Sequence, residues 1–391
     1  MAIDTSRARA GIARACGLGA LLLVGAAVPG FAQDKVIHVA ALLPISGPAS
    51  YFGVQDKQGM ELALEELSAG VNGYKLEIHY EDSACSPLPA TQAVKRVLDG
   101  AKPDIVLGEE CSDASLAIMP ILEQEEVPLL NAGSATVKLT ESGYKYVFRI
   151  FPSAQQQGES MARHAYNDLG ARTAVTLAEK TNAGIDSSDY FEKSFVALGG
   201  KVVAKIDFGR DLNDFTSIAT RLAGLGPIDV LPTAGLEGQS VKLTQALAQA
   251  GVTKGGGGKA IQMGSIWLPV GFDEKAGKAA TGYIRIVQFD PNDPRPRVQS
   301  FVKAFKAKYG AEVTPSHINA HAYDQIQLVA EAVRRGAKDA KSFQTALASM
   351  KGVEVTTGTI DFDAKGQNSN LSVLHYVETT PSLALTGLAW K

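Results

Sequence analysis

Short apolar runs rich in β-branched residues alternate with amphipathic helical patterns along nearly the whole chain, and no other feature narrows the fold as far. Residues 35–43 (KVIHVAALL) read as a strand, and residues 54–68 as a helix whose apolar positions include Met60, Leu62, Leu64 and Leu67, with Gly70 as its stop. Residues 75–80 alternate as a second strand, 90–98 are helical, and 105–107 form a third, fully apolar strand. This order places successive strands parallel, joined by crossover helices. Strands at 127–130 and 146–151 carry the pattern to Pro152. A second cycle then runs through helices at 157–169, 188–198, 215–223 and 238–250 and strands at 173–178, 201–208 and 228–231. The expected architecture is two similar, doubly wound α/β lobes.

The first 32 residues stand outside that pattern. Arg7, Arg9 and Arg14 precede an apolar run from Leu18 to Val28, and Gly30 and Ala32 supply small residues for a cleavage after Ala32. The run is about half of the ~20 apolar residues that a bilayer span needs, so the segment reads as an export signal. It holds three Arg and one Asp of the chain's 38 basic and 41 acidic residues. The remaining 359 residues therefore carry 35 basic and 40 acidic side chains, a net charge of about −5 with His neutral. Such a surface is a poor partner for nucleic acid or acidic lipid, and its length suits two domains.

Residues 103–115 (PDIVLGEECSDAS) concentrate several signals. The strand 105–107 breaks at Gly108, and Ser112 and Asp113 are N-cap types for a helix expected from about Ala114. A strand feeding a helix N-terminus exposes unpaired N–H groups, an arrangement suited to an anion. With Cys16 removed alongside the signal, Cys85 and Cys111 remain. In an oxidising compartment the simplest state of an isolated pair is a disulfide, two free thiols being the alternative.

Catalytic signatures are sparse. There is no GxSxG elbow, no HExxH and no metal-type cysteine cluster, so no cofactor is expected. KGGGGK at 254–259 lacks the Ser or Thr and the glycine spacing of a phosphate loop and reads as a flexible surface loop. His317 and His321, four apart near Asp324, have no third ligand at metal spacing and read as helix surface or pocket wall. A cleft between two α/β domains without a catalytic constellation points to binding rather than turnover.

The chain also resembles the periplasmic solute-binding proteins of branched-chain amino-acid type ABC transporters. The resemblance runs from about Lys35 to the C-terminus and rests on LLPISGPASYFGVQDKQGMELALEEL, EDSAC, GEECSDAS, LTESGYKYVFRIFPS and AYDQIQLVAEAV. It implies a Venus-flytrap fold with hinge crossings near Pro152, Asp290 and Asp363. Lobe 1 then comprises 33–151 plus 290–362 and lobe 2 comprises 152–289 plus 363–391. It also implies a bond between Cys85 and Cys111, a periplasmic monomer, and delivery of a small carboxylate to a membrane permease powered by a separate ATPase. The sensor half of a repressor shares this fold but needs a DNA-binding head, which export excludes.

Residue by residue, the resemblance places a ligand carboxylate on Ser112 and on Gly133, Ser134 and Ala135. The family usually has Thr at Ala135, which leaves Ser134 or Thr136 to supply the hydroxyl. Phe52 stands where the family often sets an aromatic ring against the ligand. Across the cleft, Ile266 in MGSIWLP occupies the place of the acid that pairs a ligand ammonium, and the aromatic walls expected near Ala183, Leu236 and Ile318 are missing. Burying an unpaired ammonium costs several kcal/mol. The expected ligand is therefore a carboxylate without an α-ammonium, such as a benzoate or phenylpropenoate, stacked on Phe52 and Trp267. A branched-chain amino acid is the alternative, with Glu109, Glu110 or Glu237 pairing its ammonium.

Overall fold

The computed structural model describes residues 35–235, 237–264, 271–370, 375–380 and 385–388. The first lobe opens with β1 (Lys35–Leu43), α1 (Ser50–Glu66), β2 (Tyr74–Asp82), α2 (Pro87–Asp99), β3 (Ile105–Gly108) and α3 (Ser112–Gln124). It continues through β4 (Leu129–Asn131), α4 (Lys138–Glu141) and β5 (Val147–Arg149). The chain crosses into α5 (Ala154–Arg163), β6 (Thr173–Glu179), α6 (Asn182–Ala197), β7 (Lys201–Phe208), α7 (Thr216–Ala223) and β8 (Val230–Ala234). The second lobe then adds α8 (Glu237–Gln249), β9 (Ile261–Gly264), α9 (Phe272–Ala276) and β10 (Ile284–Val287). A return passage supplies α10 (Pro296–Tyr309), α11 (His317–Arg334), α12 (Ala340–Ala348), β11 (Val353–Val355) and β12 (Gly358–Ile360), and β13 (His375–Thr379) and β14 (Leu385–Leu388) close the chain.

The first sheet is parallel, in the order β2-β1-β3-β4-β5, with Val39 opposite Ile105 and Lys35 opposite Tyr74. Alternation along β1 builds two cores at once. Ile37, Val39, Ala41 and Leu43 face the side that α10 and α11 cover, while Ala40 and Leu42 face the side of α2 and α3. The second sheet runs β14-β13-β10-β9-β8-β6-β7, and its β10, β13 and β14 edge is antiparallel. That edge departs from the all-parallel expectation. β14 returns on β13 by a short connection, as antiparallel neighbours allow, whereas β13 reaches β10 only after the chain's passage through α10–α12 and β11–β12.

Both sheets share one winding. In each, the second strand of the lobe flanks the first on one side and the third strand lies on the other, so strand order reverses between β1 and β3 and again between β6 and β8. Crevices at such reversals, beyond the carboxyl ends of the strands, are where doubly wound sheets accept ligands.

The chain passes between the sheets after β5, after β10 and after β12. Capping boxes mark two helices next to these passages, Ser153 with Gln156 before α5 and Ser316 with Asn319 before α11. Past Asp363 the chain still follows the first sheet: the Arg149 N–H donates to Gly366 O at 2.8 Å and the Asn368 N–H to Arg149 O at 2.8 Å. His321 Nε2 lies 2.7 Å from Gln288 Oε1, and its ring meets Phe151 edge-on at 5.3 Å, which ties the first two crossings together. His317 and His321 are wall residues of this hinge, and burial holds them neutral, with pKa values near 3 and 4.

The KGGGGK segment is not a loose loop. Lys254–Gly256 form a tight turn, and a Cβ on Gly256 would sit 1.8 Å from Ala248 O. Its glycines permit a close backbone approach, which composition alone reads as flexibility.

Candidate functional site

The carboxyl ends of β1, β3 and β6 converge on a small cavity between the lobes. Phe52 reaches it from the first turn of α1, Glu110, Cys111, Ser112 and Asp113 from the β3–α3 turn, and Glu179, Thr181, Ala183 and Arg210 from the second lobe. Helix α3 begins at Ser112, two residues earlier than expected, with Cys111 as its N-cap. The Cys85–Cys111 disulfide holds that turn against the loop after β2, with the Cα atoms 5.2 Å apart.

The helix N-terminus is supplied with negative charge by the chain itself. Glu109 Oε1 accepts the Cys111 N–H at 2.5 Å, and Asp113 lies in the first turn. Asp113 also reaches the opposite lobe, where it accepts the Asn182 N–H at 3.2 Å and the Asn182 Nδ2–H at 2.7 Å, with Arg210 3.6 Å away. The Thr136 hydroxyl and the Val137 N–H donate to Asp186 at 2.6 and 3.0 Å. These contacts latch the two lobes along the cleft rim.

Ser112 Oγ accepts the Ala135 and Thr136 N–H groups at 3.2 Å each, so it stitches the β4 loop to α3. The Ser134 hydroxyl donates to Glu109 O at 2.8 Å and lies fully buried, turned away from the cavity. Asn131 completes the stitching: its Nδ2 donates to Glu109 O at 2.7 Å and its Oδ1 accepts the Ser134 N–H at 2.9 Å. Ala135 packs with Phe151, Ala154 and Ala183 beside the first crossing, and Ile318 packs in the core that contains Phe52. Of the site residues read from the sequence, Phe52, Ser112 and Ala183 line the cavity. Gly133, Ser134, Ala135 and Ile318 do not line it, and Leu236, Ile266 and Trp267 lie outside the described residues.

The electrostatics centre on carboxyl groups. Glu110 lies over Gly133, so that a Cβ there would come within 2.0 Å of Glu110 Oε2. Its carboxyl meets that of Asp56, a buried residue on α1. Burial raises all three acids: Glu109 to about 7, Glu110 to about 8 with help from Glu109's charge, and Asp56 well above its ordinary value with help from Glu110 and Glu109. Opposite them, Glu179 accepts from Arg210 Nε at 2.6 Å. The lining thus sets three carboxyls, those of Glu110, Asp113 and Glu179, against one guanidinium. Glu179, Thr181 and Arg210 escaped sequence reasoning because nothing in their local pattern distinguishes them. Only their place at the carboxyl ends of β6 and β7, next to the strand-order reversal, would have pointed to them.

Among the described residues no group of three or more His, Cys, Asp or Glu could hold a metal, and no helix is long and apolar enough to cross a membrane.

Comparison with known proteins places these features in a family context. Residues 36–376 match the family model for periplasmic binding proteins. A leucine-, isoleucine-, valine-, threonine- and alanine-binding protein of Pseudomonas aeruginosa is 26% identical over 367 residues, covering 91% of this chain and 94% of its own. The crystal structure of a leucine-binding protein from Thermotoga maritima superposes with a TM-score of 0.83 at 25% identity, over 90% of this chain and 98% of that one. A solute-binding protein of an ABC transporter from R. palustris, solved with benzoate, shares the fold with a TM-score of 0.80 at 22% identity, over 91% of this chain and 96% of that one.

Proposed function

The chain belongs to the periplasmic binding protein family, and on that premise we propose that it captures a small zwitterionic amino acid between its lobes and delivers it to the permease of an ABC importer. The fold is that of transport binding proteins rather than enzymes. Glu110 carries the choice of ligand. Its carboxyl lines the cavity beside those of Asp113 and Glu179, and on giving up its proton it becomes the partner that an ammonium needs and a bare carboxylate does not. The family resemblance sets that partner at the position of Ile266, where the acid is missing; Glu110, one of the alternative partners read from the sequence, lines the cavity. The ligand's own carboxylate would face Ser112 and the N-terminus of α3, and Phe52 would cover its apolar part.

An aromatic carboxylate is the second reading, favoured by one observation. With a pKa near 8, Glu110 carries a proton at neutral pH and can donate it in a hydrogen bond to a carboxylate. Thermal-shift and calorimetric titration with L-leucine, L-valine, L-alanine, benzoate and 4-hydroxybenzoate separates the two. Stabilisation by amino acids supports the proposal, and stabilisation by the benzoates alone refutes it.

The remaining assignments are part of the same proposal. Residues 1–32 direct export to the periplasm. Lobe 1 comprises 33–151 and 290 to about 370, and lobe 2 comprises 152–289 and the C-terminal remainder. Closure rotates the lobes about the three crossings and excludes water from the ligand.

A further inference from the structure

Asp56 is 1% exposed, in the middle of a helix that packs along α11, and its Oδ2 has no hydrogen-bond donor within reach. Its carboxyl faces that of Glu110 at hydrogen-bonding distance. Two carboxylates repel at that separation, and a single proton between them turns the repulsion into a strong hydrogen bond. Only Glu110 of the two lines the cavity. The pair therefore joins a buried proton holder to a group that meets the ligand.

Resting on the reading of the ligand as an amino acid, we propose that Asp56 and Glu110 are a proton-exchanging pair: unliganded they share one proton, and the ammonium of the bound ligand takes its place against Glu110. The displaced proton leaves to solvent, and the ligand's ammonium replaces its positive charge against Glu110. Asp56 is a positioning residue that acts through Glu110. The charges acting on Asp56 and Glu110 are those of other carboxylates, and Arg210, the cation in the cavity lining, pairs with Glu179 instead.

The groups around the pair set the direction of the pH dependence. In the same turn stands Glu109, itself acted on by Asp82 at the end of β2. Asp113, Glu179 and Arg210 face the cavity. On α11, which packs against α1, His317 and His321 are neutral above about pH 4, Asp324 accepts the Thr356 and Thr357 N–H groups at 2.8 Å, and the Tyr323 hydroxyl donates to Glu66. On α10, Lys308 pairs with Glu65 at 2.7 Å. Two of these change charge in the same range as the pair: burial raises Glu109 to about 7, so its ionisation adds to the demand for a cation, and Asp324 to about 6, on the far side of α11 where the Thr356 and Thr357 N–H groups hold it.

Isothermal titration calorimetry of the purified chain with each of the twenty L-amino acids, in phosphate and in Tris at pH 7.0, tests the proposal. The enthalpy of the binding amino acid should differ between buffers by the heat of roughly one proton. Its affinity should rise roughly tenfold per pH unit from pH 6 to 7.5 and level off above about 8. Asp56→Asn should retain binding at pH 8 and shift the midpoint of the pH profile by at least half a unit, whereas Glu110→Gln should lose at least tenfold in affinity at pH 8 and flatten the profile below twofold per unit. In the wild type, affinities that agree within twofold at pH 6 and 7.5, with equal enthalpies in both buffers, would overturn the proton exchange and leave the amino-acid reading intact. Binding of benzoate and of no amino acid would overturn both.

Discussion

Replacing Arg149 with methionine should destabilise the protein by about 3 kcal/mol, although its guanidinium touches no ligand. Arg149 is 1% exposed at the end of β5. Its Nε donates to Gln367 Oε1 at 2.6 Å, Nη1 to Ser134 O at 3.2 Å and Thr136 O at 2.6 Å, and Nη2 to Thr140 Oγ1 at 3.2 Å. It makes no ion pair among the described residues. Asp186, Asp363 and Glu141 act on it from further away, and burial lowers its pKa to about 9, so it remains charged at neutral pH. In Arg149→Met, Gln367 and Thr140 can turn to other partners, but the two carbonyls of the cleft loop cannot. Leaving two buried acceptors unpaired costs about 1–3 kcal/mol each. Relief from holding a cation out of water, together with the packing of the methionine, offsets part of that loss. Urea unfolding followed by circular dichroism, with m compared between variants, gives the difference directly. The loop that Ser112 anchors should also loosen, lowering the affinity for ligand. A loss below about 1 kcal/mol, or a gain in stability, would show that desolvation of the guanidinium outweighs its four bonds and would refute this accounting.

Other perturbations have equally definite outcomes. Replacing Cys85 and Cys111 together with alanine should lower stability by about 3.5 kcal/mol, the chain-entropy value for a loop of this length, and dithiothreitol should lower the wild-type melting temperature but not the variant's. Gly59→Ala should cost roughly 2–4 kcal/mol in urea unfolding, because its Cβ would lie 2.1 Å from Asn319 O and must force α1 and α11 apart. Glu109 and Glu110 have folded-state pKa values near 7 and 8, above their ordinary value, so the stability they contribute is complete below about pH 4.5 and is lost as pH rises through 7 and 8. Unfolding free energy without ligand should therefore fall from pH 6 to 8.5 in the wild type and fall less in Glu110→Gln. Asp113→Ala should weaken ligand binding about three- to tenfold through loss of the rim latch, and small-angle scattering should show a more open form.

Much of this molecule was legible in order along the chain. The β1 pattern, KVIHVAALL, determined both a strand and its two buried faces, since side chains alternate whatever surrounds them. The strand–helix alternation determined parallel sheets, and two cysteines left in an exported chain pointed to one bond. What the pattern understated were short or late elements such as α12, β11 and β14, which tertiary pairing stabilises rather than local periodicity. Pro232 sits inside β8, in the middle of a sheet, where local rules argue against a strand.

The site divides along the same line. Ser112 could be placed at its turn from local pattern, because the turn after a strand and the start of a helix are local events, whereas Phe52 and Ala183 rested on the family resemblance. The direction in which each side chain points is not local. Ser134 turns into the protein because Asn131 and Glu109 O hold it there, and Ser112 spends its acceptor capacity on two N–H groups of a loop more than twenty residues away. The sequence by itself determined two wound lobes, a cleft between them and a turn suited to charge. Whether the acids of that turn are charged was decided only when folding buried Asp56 on α1 against Glu110 on the β3–α3 turn, since the pKa of a carboxyl depends on what surrounds it in space and not on its neighbours along the chain.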